Sequence, residues 1–284
     1  MKHILVPVDF SEPSKHAAKY AVALAAHINA DTIILYNAYQ QPIPADNTLT
    51  DPTLNVMNVY DVNELGDISR DHLNKFKEEM IIHGSPDSLQ VEVIGEFNNI
   101  IEGIQEVCAA RQIDLVVTGI TVGDKLTETL VGSHSLDIAR EITTPVLIVP
   151  HEASFQPIQN ILLADDYKQV AATTPVTALQ NIVRETGGQL HVLHISESQK
   201  EADISSEVNT LKGLLLDLSP QYHTVQNPDF AAAINSFITQ NSINLLVAIP
   251  KKHGFFEGLF RKSHVKTLAF HTRIPVLLIH EEEK

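Results

Sequence analysis

The same sequence pattern occurs twice in this chain. Residues 3–9 (HILVPVD) match residues 160–166 (NILLADD) at a spacing of 157, and residues 144–149 match residues 274–279 at a spacing of 130. A deletion of 27 residues in the second copy accounts for the change of spacing. Two copies in 284 residues leave each copy a length that is usual for one domain. The repeat therefore predicts two domains of one fold, residues 1–152 and residues 153–284.

Each copy contains five short apolar runs separated by segments with helical periodicity. The runs are rich in Ile, Leu and Val and mostly lack polar alternation, which is typical of strands buried on both faces. Alternating strands and helices imply a parallel sheet with helices on both faces. The predicted fold class is α/β, with two tandem copies of an open five-stranded parallel sheet in the strand order 3-2-1-4-5. The predicted strands are 3–9, 32–38, 90–95, 114–119 and 145–150, then 160–165, 189–195, 221–225, 244–249 and 275–280; predicted helices include 14–30 and 100–110.

Charge and composition argue against several classes of protein. The net charge of −15 repels the phosphates of nucleic acids and anionic lipids, and residues 1–152 carry −13 of it. No stretch reaches the roughly 18 apolar residues of a membrane-spanning helix, and the first residues do not form a signal peptide. The single cysteine, Cys108, cannot form an internal disulfide. We predict a cytoplasmic protein that binds neither nucleic acid nor membrane.

The 14 histidines do not have the spacing of a metal site. His191 and His194 lie three residues apart on a predicted strand, so their side chains point to opposite faces of the sheet. No group of Cys and His residues has zinc-site spacing. We predict no metal.

The candidate ligand site lies where the strands of the first copy end. In open α/β sheets, ligands bind at the carboxyl ends of the strands, near the switch in strand order. That edge holds Asp9, Ala38 and Thr118, followed by the loop 119–125 and the segment Gly132–Ser135. Glycines let backbone amides approach a phosphate, and a helix N-terminus favours an anion. The structural alternative is that the glycines form a turn and Ser133 caps a helix.

These residues resemble the universal stress protein family over essentially the whole chain, twice. The similar segments are residues 4–12, the stretch from Gly119 to Gly132–Ser133, and residues 144–150. ATP-binding members have a glycine, a second glycine three residues later, and a third ten residues after that, followed by Ser or Thr. Here Gly119 and Gly132–Ser133 fit the first and last places, but Val122 occupies the middle one and the glycine is displaced to Gly123.

The resemblance implies a bound ligand and a pairing of the two copies. The ligand would be ATP or another adenine nucleotide, held in the first copy only, and the fifth strands of the two copies would pair as in a dimer within one chain. A homodimer of the whole chain is a further expectation. The implied binding residues are Pro7, Asp9, Ala38, Thr118, Gly119, Val122, Gly123, Gly132, Ser133 and His134.

The second copy departs further from the family pattern. Ile249, Lys252 and Lys262 stand at the places of Gly119, Val122 and Gly132. Pro250 has no backbone N–H to offer a phosphate. The basic residues between 251 and 262 could hold an anion, or form a solvated surface or a contact with an acidic partner. We predict that this copy is mainly structural.

Three functions remain open from the sequence. The first is a non-enzymatic stress-response or regulatory protein that binds an adenine nucleotide in its first copy. The second is a ligand-free protein-interaction module, and the third is a slow nucleotide hydrolase. No nucleophile elbow or P-loop is present, so no catalytic residue is predicted. Residues 40–66, which the second copy lacks, could form a lid, a surface loop or a dimer contact.

Overall fold

A computed structural model describes residues 1–40, 62–82, 88–120, 133–196, 204–250 and 272–281. The first copy consists of β1 (His3–Pro7), α1 (Glu12–Ile28), β2 (Thr32–Tyr39), α2 (Val62–Ile82), β3 (Gln90–Phe97), α3 (Ile100–Arg111), β4 (Leu115–Ile120), α4 (Ser133–Glu141) and β5 (Val146–Pro150). The second consists of β6 (Asn160–Ala164), α5 (Val170–Thr173), α6 (Val176–Thr186), β7 (Gln189–Ser196), α7 (Ser205–Leu214), a short 3₁₀ turn at Leu216–Leu218, β8 (Gln221–Gln226), α8 (Phe230–Gln240), β9 (Leu245–Ala248) and β10 (Val276–Leu278).

The ten strands form one continuous sheet. Their order is β3-β2-β1-β4-β5-β10-β9-β6-β7-β8, so each half has the predicted order 3-2-1-4-5. All pairs within a half are parallel, whereas β5 and β10 pair antiparallel, with Leu147 opposite Leu277. The predicted fold class and the predicted meeting of the fifth strands are therefore both confirmed. The division at residues 152 and 153 stays a prediction; residues 151–159, between β5 and β6, contain neither helix nor strand.

The strands are apolar because both faces of the sheet are covered. On β1, Ile4 and Val6 belong to the core on one face, whereas Leu5 belongs to the core on the other. All three are fully buried. This two-sided burial explains why the strand sequences lack polar alternation.

Local capping sets the bounds of α1 two residues earlier than predicted. The helix was expected at 14–30 and spans Glu12–Ile28. Ser11 caps its N-terminus, and Pro13 lies in the first turn, where a missing N–H costs nothing. Asn29 adopts a left-handed conformation (φ 54°) and ends the helix.

The repeat is also visible in the hydrogen bonds. The Asp114 carboxylate accepts from the backbone amides of residues 2 and 3, at 2.6 and 2.9 Å. The Asn244 side-chain oxygen accepts from the amides of residues 159 and 160, at 2.9 and 3.0 Å. In each copy these bonds tie the start of the fourth strand to the start of the first strand. The two halves therefore have equivalent hydrogen bonds as well as the same topology.

Four further expectations can be compared with the described residues. Among the helices of the described ranges, none is both long and apolar enough to cross a membrane. Within those same ranges, no group of three or more His, Cys, Asp or Glu side chains could hold a metal ion. His191 contacts His223, whereas His194 contacts Tyr167 near α5, so the two histidines do face opposite sides. Of the predicted insertion, residues 41–61 lie outside the described residues, and its last five residues begin α2.

Candidate functional site

A crevice of about 330 Å³ opens at the carboxyl ends of β1, β2 and β4, between the starts of α1, α3 and α4. Its volume is at the lower end of the usual range for small-molecule sites. The structure brings six of the predicted residues together in its wall: Pro7, Asp9, Ala38, Thr118, Gly119 and His134.

Four predicted residues cannot be placed in the same way. Val122, Gly123 and Gly132 lie outside the described residues. Ser133 begins α4, and its backbone is described but its side chain is not. Their proposed contacts with phosphate therefore stay predictions.

Asp9 lines the crevice just after the end of β1. The chain turns sharply after it, because Phe10 has a left-handed backbone (φ 62°). The Asp9 carboxylate accepts hydrogen bonds from the Ser11 amide (3.0 Å) and the Ser11 hydroxyl (2.5 Å). Partial burial favours the protonated acid, but the hydrogen bonds from Ser11 and Ser14 outweigh this effect and lower the pKa of Asp9. A negative charge at this point suits a ligand group that donates hydrogen bonds.

The backbone of Ala38 presents a donor and an acceptor to the crevice. The Val8 amide donates to the Tyr36 carbonyl at 2.7 Å, which places Tyr36 on the side of β2 that faces β1. Because strand residues alternate, the N–H and C=O of Ala38 face the same side, beyond the end of β1 at Pro7. The carbonyl of Val8, which could otherwise continue the ladder, accepts instead from the Asn37 side-chain amide at 2.6 Å.

Asn37 is fixed by helix α2. The Ser69 hydroxyl, which is buried, donates to the Asn37 side-chain oxygen at 2.8 Å. The chain of bonds from Ser69 through Asn37 to Val8 occupies the Val8 carbonyl, which could otherwise accept from the Ala38 amide. The Ala38 backbone therefore remains open to a ligand.

The hydroxyls of Thr118 and Ser135 are bonded within the protein. Ser135 donates to the Gly119 carbonyl at 2.6 Å, and its oxygen lies 3.0 Å from the Thr118 hydroxyl. Both side chains are buried. Since the Ser135 proton is directed to the Gly119 carbonyl, Thr118 is the donor to Ser135. These bonds connect the first turn of α4 to the end of β4.

Gly119 has a packing role that neither sequence interpretation, approach to a phosphate or formation of a turn, predicted. It lies within β4 rather than in a turn, and its φ is not positive. A Cβ atom on Gly119 would lie 2.0 Å from the Pro13 carbonyl oxygen and 3.2 Å from the Ala17 Cβ. Glycine is therefore required by the close approach of the first turn of α1. The turn interpretation is wrong at this residue, and approach to a phosphate is not needed to explain the glycine.

The second copy differs at the corresponding place. Ile249 replaces Gly119 and is buried in the same core as Val170 of α5. The helix that corresponds to α1 is divided into α5 and α6, and Pro175 lies at the break. A side chain at position 249 and a proline at 175 together account for the divided helix.

The carboxyl ends of β6 and β7 also differ from those of β1 and β2. His194 takes the place of Asn37, and its Nδ1 lies 3.2 Å from the Asp165 carbonyl oxygen. Tyr167 has the left-handed backbone of Phe10 (φ 52°) and stacks on His194, with ring centroids 4.7 Å apart. Asp166 retains the Asp9 bond, because its carboxylate accepts from the Lys168 amide at 3.1 Å. Lys252, Lys262 and the basic residues between 251 and 262 lie outside the described residues.

Sequence reasoning missed the amide side chains of the site. Asn37, Gln40, Asn98 and Asn99 line the crevice but were not predicted to do so. Asn99 also caps α3, where its side-chain oxygen accepts from the Ile101 amide at 2.9 Å. A signal was available, since these polar residues lie within four residues of the ends of two predicted strands.

The fold and the crevice define the class of protein. This is an open-sheet α/β protein with a small-molecule-sized site at the switch in strand order.

The chain belongs to the universal stress protein family, whose model matches residues 1–150. A solved universal stress protein from Archaeoglobus fulgidus is similar over 98% of this chain and 98% of its own, with 17% sequence identity and a TM-score of 0.69. A functionally unknown protein from Pseudomonas aeruginosa is similar over 99% of this chain and 93% of its own, with 14% identity and a TM-score of 0.61. No curated protein matches the chain. At these identities the structures show a shared fold alone. The family match covers the first copy; membership of the second stays a prediction.

Proposed function

We propose that this protein is a non-enzymatic stress-response or regulatory protein that binds an adenine nucleotide, ATP or a relative of it, once per chain in the first copy. Family membership supports the stress-response role. The second copy would act as the permanent pairing partner of the first. A cytoplasmic location, and the lack of nucleic-acid and membrane binding, belong to the same proposal.

The open backbone of Ala38 carries the proposal. One N–H donor and one C=O acceptor from the same residue match the edge of adenine, which offers a ring-nitrogen acceptor beside an amino donor. Asp9 follows the adjacent strand β1, where its carboxylate can accept from a ribose hydroxyl or an amino group. Amide side chains of Gln40 and Asn99 add further donors and acceptors. The crevice volume of about 330 Å³ suits a nucleoside-sized group.

The two copies provide a matched pair of variants. Asp9→Ala removes the carboxylate of the proposed site, whereas Asp166→Ala removes its counterpart from the second copy. Calorimetry with ATP on the full chain should give one site per chain for the wild type and for Asp166→Ala. We expect Asp9→Ala to weaken binding at least about tenfold, since a hydrogen bond to a charged group contributes about 1.5–3 kcal/mol.

Other results would place the function elsewhere. Two sites per chain, or a loss of binding only in Asp166→Ala, would show that the site was assigned to the wrong copy. No heat and no thermal shift with ATP, AMP or adenosine at about millimolar concentration, where even weak ligands register, would instead support the ligand-free interaction module. Steady production of ADP by wild-type protein would support the hydrolase.

A further inference from the structure

The two ends of the sheet differ in how they are protected from further strand pairing. Among the described strands, β3 and β8 are the outermost, so each has one side without a neighbouring strand. Such an edge offers backbone N–H and C=O groups to another chain, and charged side chains or proline are common protections. β3 carries Glu92 and Glu96. The sequence of β8, QYHTVQ, contains no Asp, Glu, Lys, Arg or Pro.

The outward backbone groups of β8 belong to Tyr222, Thr224 and Gln226. The Asn227 amide donates to the Ser196 carbonyl of β7 at 3.0 Å. Because backbone groups alternate in direction along a strand, the odd-numbered residues of β8 face β7 and the even-numbered ones face away from it. Thr224 and Gln226 are exposed. The outer side of β8 therefore presents alternating hydrogen-bond donors and acceptors.

This outer side is complementary to a second copy of itself. When two β8 strands run antiparallel about a twofold axis at Thr224, this residue lies opposite Thr224 of the second copy, and Tyr222 lies opposite Gln226. Each outward N–H then meets a C=O, which gives about six hydrogen bonds across the axis. On the other face of the sheet, His223 lies opposite Val225. The Thr–Thr pair is favourable, and no Asp, Glu, Lys or Arg of β8 meets a like charge.

The same pairing is unfavourable for β3. Its first amide donates to the Asp31 carbonyl at 2.9 Å, so the odd-numbered residues of β3 face outwards. The antiparallel self-pairing with the longest overlap then places Glu92 of each copy opposite Glu96 of the other. Like charges directly opposite each other destabilise a strand pair. The ion pair with Arg111 offsets the charge of Glu92 only in part, because both side chains are exposed to solvent.

We propose that β8 is a homodimerisation edge, at which two copies of this chain pair antiparallel and join their sheets into one. The distribution of charge favours this end of the molecule, because residues 1–152 carry −13 of the net charge of −15 and residues 153–284 carry −2. The partner is a second copy of the chain, since the outer side of β8 is self-complementary. A strand of six residues gives a small interface, so we expect a dissociation constant of about 10–100 µM.

Sedimentation velocity on the full chain tests this proposal. Between about 1 and 500 µM, which spans the expected dissociation constant, we expect a reversible change from monomer to dimer. Thr224→Pro removes an outward N–H from each copy but no bond to β7, and should raise the dissociation constant at least about tenfold. Thr224→Lys places two like charges opposite each other and should weaken the dimer to a similar extent.

Gln90→Lys is the matched control. Gln90 is exposed on β3, so this change adds the same charge at the other edge of the sheet and should leave the dimer intact. A monomer at every concentration, or a dimer that Thr224→Lys leaves unchanged, would overturn the inference. Open-ended polymers would also overturn it, because they indicate pairing of β3 with β8.

Disulfide trapping tests the register without weakening the dimer. In a Cys108→Ala background, Thr224→Cys should give a covalent dimer on oxidation, because opposite Cα atoms of a hydrogen-bonded antiparallel pair lie about 5.5 Å apart. Gln90→Cys in the same background should give none. Equal yields of covalent dimer from the two variants would show that the contact is not made by β8.

Discussion

Substitution of Gly119 by alanine is the sharpest test of the packing at the site. The added Cβ would lie 2.0 Å from the Pro13 carbonyl oxygen and 2.5 Å from the carbonyl carbon, both of them backbone atoms. Ordinary contact begins at 3.4 Å, so the first turn of α1 must move by more than an ångström. That turn carries Ser11, which holds Asp9. We expect a loss of about 2 kcal/mol, within the range for overpacked cores, and a melting temperature lower by about 4–8 °C.

Gly213→Ala provides the control for this experiment. Gly213 lies in α7, and a Cβ there would meet no atom within 4 Å. The same chemical change should therefore raise stability by about 0.5 kcal/mol, through helix propensity. Urea or thermal unfolding measures both variants, and titration with adenosine measures the site. A Gly119→Ala protein as stable as wild type would refute the packing argument. If such a protein also lost adenosine binding, Gly119 would be required by the ligand instead.

Two further predictions concern stability and the geometry of the crevice. Burial, together with the neighbouring charge of His223, lowers the pKa of His191, and burial lowers the pKa of His223, so the unfolded chain binds protons more readily than the folded one. The contribution of these histidines to stability should be fully present above their ordinary pKa of about 6.5 and fall as the pH drops below it, by at most about 1.4 kcal/mol per pH unit for each histidine. His223→Gln should therefore reduce the slope of the urea unfolding midpoint plotted against pH. An unchanged slope would contradict this prediction. Asn37→Ala leaves the Ser69 hydroxyl without its partner and frees the Val8 carbonyl to accept from the Ala38 amide. The change should cost about 1–3 kcal/mol of stability and weaken adenosine binding. Unchanged affinity in a folded Asn37→Ala protein would contradict the role of Asn37.

The sheet was predictable because its signals are local and repeated. Five apolar runs per copy and fixed spacings between the copies were enough to define the strands to within a few residues. The family resemblance added the pairing of the fifth strands. No single run of sequence contains that information, because it concerns two segments 130 residues apart.

The detail of the site was less predictable because it depends on contacts between distant segments. Gly119 is explained by Pro13, which lies more than a hundred residues earlier in the chain. Asn37 matters because its side chain replaces a ladder bond to Val8, and no spacing rule expresses such a replacement. The divided helix of the second copy involves Ile249, which shares a buried core with Val170 of α5 although the two residues lie far apart in the sequence. In each case the sequence identifies the residue but does not show which distant residue it contacts.

The antiparallel pairing of β5 with β10 has a consequence for how such proteins diverge. Both edges belong to one chain, so their association depends on the tether and not on the protein concentration. Subunit exchange cannot separate the halves or place the first copy beside an identical one. Within one chain a substitution in one half is therefore not repeated in the other, and each half can change without imposing the same change on its partner. Under this arrangement Ile249, Pro250 and the Tyr167–His194 stack could accumulate in one half while the crevice beside Asp9 persisted in the other.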